Sequence, residues 1–140
     1  MASTPVLLDT DTLSAIMRRQ PAALAKARVY LAENSRFTLS AITVYEVLRG
    51  LMAKGATRQI QTFRGFLAAN DVAPLTDEAI EKAAELYADL ARRGLLVGDA
   101  DILIAAIAMV NHLGIATGNE AHFRRFPGLH VENWLGDRTP

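Results

Sequence analysis

The chain has 140 residues, 51% of them hydrophobic, with fifteen acids balanced by fifteen bases and no cysteine. That length bounds a single domain over residues 1–140, and the apolar content excludes an intrinsically disordered chain. The absence of thiols excludes disulfides and thiolate metal sites, and zero net charge excludes a uniformly basic nucleic-acid face, though not a local one.

From the start of the chain, residues 5–8 read as a short buried strand that stops at Asp9. Asp11 or Thr12 is placed to cap a helix through about residue 19, and Pro21, at a favourable first helical position, starts a second helix to residue 34. "RFTLS" (36–40) is a second strand. A helix follows over 42–54 with Val44, Val47, Leu48 and Leu51 on one stripe, then another near 56–69 that buries Ile60, Phe63 and Leu67. "DVAPL" (71–75) is a third strand. Thr76 or Asp77 begins a helix to residue 93, with Ile80, Ala83, Ala84, Tyr87, Leu90 and Ala91 on its buried stripe and Gly94 as its stop.

The next segment, "GDADILIAAIAMVNHLG", is apolar around its whole circumference at its centre and predicts a helix buried on several sides. "GIAT" (114–117) is a fourth strand, residues 119–126 a short helix, and residues 129–133 a fifth strand. Short apolar strands alternating with helices predict a three-layer α/β/α fold around a parallel sheet of about five strands. The longest wholly apolar run, residues 102–110, is too short to cross a membrane. "MASTPV" has neither a basic n-region nor a long apolar h-region, so no export signal is expected and the expected location is the cytoplasm.

In an open parallel sheet, sites form at the carboxyl ends of the strands, where strand order switches. Asp9 follows the first strand, Asn119 and Glu120 follow the fourth, Asp99 and Asp101 open the buried helix, and Glu46 sits one turn into the helix after strand two. Each has a simpler role open to it. Asp11 and Asp99 could be helix caps, and Glu46, lying opposite its helix's apolar stripe, could be a solvated partner of Arg49. Acids with no Cys and no paired His suit a hard cation such as Mg²⁺ or Mn²⁺ rather than zinc. His112, His122 and His130 lack ligand-like spacing and read as surface or packing residues. The basic set is twelve Arg to three Lys, which suits bidentate phosphate pairing but follows equally from base composition. The nine aromatics sit mostly at apolar-periodic positions and read as core.

"LLDTDTLS", "ITVYEVLRG", "GDADILIAAIA", "IATGNEAHFRRFPGL" and "VENW", in that order and spacing, resemble the PIN-domain family, in its VapC/FitB-type ribonuclease toxins. The likeness runs from Leu7 to Trp134 and rests on five motifs in register. It implies a catalytic set of Asp9, Glu46, Asp101 and Asn119, with Asp9 and Asp101 as metal ligands and Thr10, Thr117 and Asp99 in support. It implies an Mg²⁺-dependent endoribonuclease, with Mn²⁺ able to substitute, an RNA substrate, an antitoxin partner whose basic side chain fills the acidic groove, and a homodimer. Two positions depart from the family pattern. Asn119 is neutral where many relatives have Asp, which favours one metal over two and leaves Glu120 or Asp99 to compensate. Asp11 stands where relatives often have Asn, which suits a cap or a support for the turn. Arg18, Arg19, Arg49, Arg92 and Arg93 are candidates to hold RNA.

Two alternatives stand beside this reading. A haloacid-dehalogenase-like phosphatase shares an apolar strand followed by D-x-D, but its Thr would fall on the slot that Leu13 holds, and Lys26, Lys54 and Lys82 all lie in predicted helices. A non-catalytic PIN-fold binding module would have no reason to keep three acids in its groove.

Overall fold

The computed structural model describes residues 4–136. The outer ends of the expected domain, and the first residues of the stretch read for an export signal, lie outside them. The elements follow in chain order as β1 (Val6–Leu8), α1 (Thr10–Met17), α2 (Pro21–Asn34), β2 (Thr38–Ser40), α3 (Ala41–Ala53), α4 (Thr57–Ala68), β3 (Asp71–Ala73), α5 (Asp77–Arg93), α6 (Asp99–Val110), β4 (Gly114–Ala116), α7 (Glu120–Phe123) and β5 (Val131–Glu132). All five strands are parallel, in the order β3-β2-β1-β4-β5. The strands are shorter than the sequence suggests, because only two or three residues of each find a ladder partner, and α7 is limited to four residues.

The order explains where a site can form. From β1 the chain winds outward to β2 and β3, then crosses back through α5 and α6 to place β4 on the other side of β1. Leu7 pairs with Ile115, and Leu8 with Ala116. The switch point therefore lies between the carboxyl ends of β1 and β4, where the connections leave in opposite directions and open a crevice.

Alternation along the strands sorts the core into two layers. Leu7 and Ile115 pack under α5 and α6 with Leu86, Leu90, Ile104, Ile107, Phe123 and Phe126. Val6, Leu8, Leu39 and Ala116 face the opposite way, toward Leu13, Tyr30, Phe37, Phe63 and Trp134. Helix α6 buries Ile102 and every residue from Ile104 to Ala108, as an all-round apolar helix must.

The stripe expected for α5 is displaced. Its buried residues are Ala79, Ala83, Leu86 and Leu90, whereas Ile80 and Tyr87 are 50% and 48% exposed. Two apolar stripes lie about 100° apart on this helix, and periodicity alone does not say which one meets the sheet. Within α4 only Phe63 is fully buried; Leu67 packs at the margin of the core. Tyr45, expected with the other aromatics in the core, is also exposed, with the Arg49 guanidinium 5.2 Å from its ring centroid. Gly94 does end α5 in the left-handed conformation, at φ +69°. No described helix is long and apolar enough to cross a membrane.

Candidate active site at the β1/β4 crevice

Strand β1 delivers Asp9 to the crevice. Its backbone N–H continues the ladder to Ala116 O at 2.9 Å, so the side chain starts from a fixed point on the sheet. Asp9 is also the residue that caps α1, with Oδ1 accepting from Thr10 N at 2.9 Å. The sequence assigned that cap to Asp11 or Thr12. The helix instead begins at once after the strand, which leaves Asp11 inside its first turn.

Asp11 braces the opposite strand. Its Oδ2 accepts from Gly118 N at 2.9 Å, which ties the start of α1 to the turn after β4. Gly118 suits this close approach, since a Cβ would stand 2.8 Å from Asp11 Oδ2 and 2.4 Å from Leu135 Cδ1 and both side chains would have to shift. Support of the turn, the other role open to Asp11, is the one observed.

Thr117, fully buried at the end of β4, links two of the expected positions. Its hydroxyl donates to Asp9 Oδ2 at 2.8 Å and accepts from Asn119 N at 2.9 Å. On the other flank, the Thr10 hydroxyl donates to Glu46 Oε1 at 2.8 Å and lies 3.1 Å from Thr43 Oγ1. Thr43 is itself held by Ser40, the cap of α3. Glu46 also has Arg49 at 3.9 Å, so the plain ion pair and the site contact coexist.

Asp101 comes from the first turn of α6 and meets a residue read from the sequence as packing or surface. His122 Nδ1 is 2.9 Å from Asp101 Oδ2 and 2.8 Å from Asn119 Nδ2. The Nδ1–H tautomer donates to Asp101; the other accepts from the Asn119 amide. The only sequence signal was a position three residues beyond Asn119 on a short helix, which places both on one face. His130 pairs with Glu132 at 2.7 Å, away from the crevice.

Asp99 does not join the group. Gly98 occupies the cap position of α6 without a side-chain bond, so the expected Asp99 cap is absent. Asp99 instead lines a groove together with Ile80, Ala83, Tyr87 and Leu103. Glu120 does not compensate for Asn119 either. It accepts from Asn133 and Arg124, at 3.0 and 2.7 Å, and these bonds hold its carboxyl below the usual range. Of the candidate RNA-binding arginines, Arg49 adjoins Glu46 and Arg93 is engaged by Asp89. Arg18 stands with Lys54 and Arg58 on a groove of about 350 Å³ between α1, α3 and α4.

The electrostatics single out Asp9. It is 7% exposed, and no ion pair among the described residues neutralises it. Burial first, then the neighbouring Asp11 carboxylate, with a lesser push from Asp101, raises its pKa from 3.8 to about 7, against the bonds from Thr117 and Thr10. Among the described residues no three acidic or histidine side chains already stand as a cation cage. The donor chemistry still fits a hard divalent ion: two carboxylates within electrostatic reach, buried hydroxyls, an amide and no sulfur.

A family model described as "PIN domain" matches residues 6–129. A "tRNA(fMet)-specific endonuclease VapC" from Salmonella typhimurium is 30% identical over 129 residues, covering 91% of this chain and 96% of the relative. The crystal structure of DNA-bound VapBC from the same organism superposes with a TM-score of 0.82 at 27% identity, covering 94% of this chain and 99% of that one. VapBC2 from Rickettsia felis, bound to a DNA fragment from its promoter, gives 0.81 at 27% identity, with 92% and 98% covered.

Proposed function

The chain belongs to the PIN-domain family, and from that premise we propose that it is a metal-dependent endoribonuclease, the toxin of a toxin–antitoxin pair. The observation that carries the reading is the buried, unneutralised Asp9 carboxylate at the switch point of the sheet, with Asp101 close enough to raise its pKa. Such a site favours a proton or a cation, and at neutral pH a divalent cation is the stronger neutraliser.

In this reading Asp9 and Asp101 hold Mg²⁺ or Mn²⁺, which supplies Lewis-acid polarisation of the scissile phosphate and acidifies water. Thr117 fixes the direction of the Asp9 carboxylate, and Thr10 fixes Glu46 through Oε1. Glu46 Oε2, which Arg49 approaches only to 3.9 Å, is the oxygen left to accept a proton from the attacking water. Asn119, neutral and at the rim, supports a single-metal site. The reading extends to a cytoplasmic protein, to an antitoxin whose Arg or Lys reaches Asp9, Glu46 or Asp101, and to a homodimer. The exposed apolar side chains of Ile80 and Tyr87, beside the partly buried Leu103, support the homodimer.

Growth after induction of wild type and of Asp9→Ala, paired with RNA cleavage by the purified proteins with and without Mg²⁺, tests the reading. Wild type should arrest growth and cleave only with the cation, and Asp9→Ala should do neither. Equal toxicity from the two, or an RNA-cleaving wild type that is harmless, would remove the toxin reading.

A further inference from the structure

Asp101 lies in the first turn of a helix that lacks a side-chain cap. Gly98 contributes no side chain at the cap position, and residues 94–96 leading to it are exposed. A helix start with free N–H groups and an exposed approach is where a helix frays first. Something else must hold Asp101 in place.

The segment from Asn119 to Arg125 does so at three points. His122 reaches Asp101 directly at 2.9 Å. Arg125 donates through Nη1 to Leu95 O at 3.1 Å and Leu96 O at 3.3 Å, fastening the α5–α6 connection. Arg93, on the last turn of α5, donates back to Arg125 O at 2.8 Å. The segment is itself rigid where it matters. Phe123 and Phe126 are buried against each other, centroids 5.9 Å apart, in the same core that receives α6. Glu120 ties its start to Asn133. One face of a short, core-anchored segment therefore grips the helix that brings Asp101 to the crevice.

We propose that residues 119–125 form a bracket that sets the Asp101 carboxylate opposite Asp9, with His122 and Arg125 as positioning residues, His122 by contact and Arg125 through the backbone of residues 95–96. The inference rests on the metal-dependent reading above, in which Asp101 is a ligand. Arg125 is nowhere near the reacting atoms; its effect runs through the approach to α6. His122 restricts the rotamer of Asp101 by holding one of its two oxygens.

The test uses the full chain with Arg125→Ala, Arg125→Lys, His122→Phe and His122→Gln. Binding of Mn²⁺ alone is followed by electron paramagnetic resonance, and backbone hydrogen exchange is followed by mass spectrometry without metal. Arg125→Ala should speed exchange over residues 95–102 while leaving β1 as in wild type, and should weaken Mn²⁺ binding about tenfold, in the range seen when partners of metal ligands are removed. Excess Mn²⁺ should restore its RNA cleavage rate with KM unchanged. Arg125→Lys, which keeps a cationic donor but not the planar guanidinium, should fall between. His122→Phe should weaken Mn²⁺ binding similarly without altering exchange at residues 95–96, and His122→Gln, which keeps a donor, should recover part of the loss. Wild-type exchange and Mn²⁺ affinity in Arg125→Ala would overturn the bracket, as would a uniform rise in exchange through the whole core. A wild type that binds no Mn²⁺ would instead bring down the metal reading, and exchange at residues 95–102 would then decide the bracket by itself.

Discussion

The two flanks of the crevice are built in different ways. On the β1 side, Asp9 projects from the central strand, is nearly buried, and is directed by Thr117 and by the N–H of Thr10. On the α6 side, Asp101 projects from an uncapped helix start, is 23% exposed, and is directed by one histidine. A carboxylate fixed by strand register inherits the rigidity of the core, while one fixed by side-chain contacts inherits only those contacts. The first flank costs electrostatic energy, because its anion is desolvated and crowded; the second keeps partial contact with water and loses precision. If the site holds a cation, Asp9 supplies the demand for it and Asp101 the adjustable partner.

The comparison breaks most visibly at the two carboxylates. Asp9→Asn and Asp101→Asn should each reduce RNA cleavage by about a hundredfold or more, the scale of losing a principal electrostatic stabiliser. Their stabilities should diverge. Without metal at pH 8, Asp9→Asn should melt several degrees above wild type, because it removes a buried charge while an amide can still meet Thr10 and Thr117. Asp101→Asn should melt close to wild type. Thermal unfolding of both without metal reads the difference, and identical shifts would mean that the flanks are electrostatically alike.

The pH dependence sharpens the same contrast. Folded Asp9 keeps its proton up to about pH 7, whereas the unfolded chain releases it near its ordinary 3.8. Between those values the folded state binds the extra proton, so this group makes stability fall as pH rises. The penalty is absent below pH 4 and complete above pH 7. Three pH units at about 1.4 kcal/mol each put its ceiling near ~4 kcal/mol. Denaturant titrations from pH 4 to 8 should show this decline in wild type and a flatter profile in Asp9→Asn. Added Mg²⁺ should offset the decline, since an ion that binds only the folded, deprotonated form stabilises it by mass action.

What the sequence revealed follows the same division. Strand ends were legible where an apolar run stops at a charge, which is a local pattern, so Asp9 could be placed before the fold was known; Thr117 came only from the family resemblance. The parallel sheet and the all-round burial of α6 were legible for the same reason. His122 was not, since its role depends on a helix meeting a turn twenty-one residues away in the chain. Asp11 and Asp99 were each open to a cap role from their positions, Asp11 also to support of the turn and Asp99 to support of the site. The actual cap positions, Asp9 and Gly98, depended on how abruptly each helix leaves the preceding segment. Ile80 and Tyr87 were placed in the core because a second apolar stripe has the same period as the first.

A smaller effect isolates the hydroxyls of the rigid flank. Thr117→Val keeps the shape but removes the donor to Asp9 and the acceptor for Asn119 N. Both lost partners are at least partly buried, so a cost of about 1–3 kcal/mol is expected. Because the Thr117 bond lowers the Asp9 pKa, its loss should also push that pKa further up. The carbonyl-carbon chemical shift of Asp9 across a pH titration would report it, and an unmoved titration would show that the Thr117 bond has no part in setting the value.

The smallest effect is expected at Asp99, and it tests whether the α6 flank is as specific as its geometry implies. Asp99 and Asp101 are two residues apart on one helix, about 200° around its axis, so they cannot share a face. The structure places Asp101 against His122 in the crevice and Asp99 over the groove beside Tyr87. Among the described residues the cap position of α6 has no side-chain bond, and Asp99 contributes a charge near the helix N-terminus, worth a few tenths of a kcal/mol in water. Asp99→Asn should therefore change stability by less than about 0.5 kcal/mol and leave most RNA cleavage intact. Asp101→Asn, the same chemical change one helical step away, should leave almost none. Assayed together at one Mg²⁺ concentration, comparable losses from the two would mean that the whole N-terminus of α6 serves the site as a diffuse negative field. The flank would then owe its function to net charge, and the contact between Asp101 and His122 would be incidental.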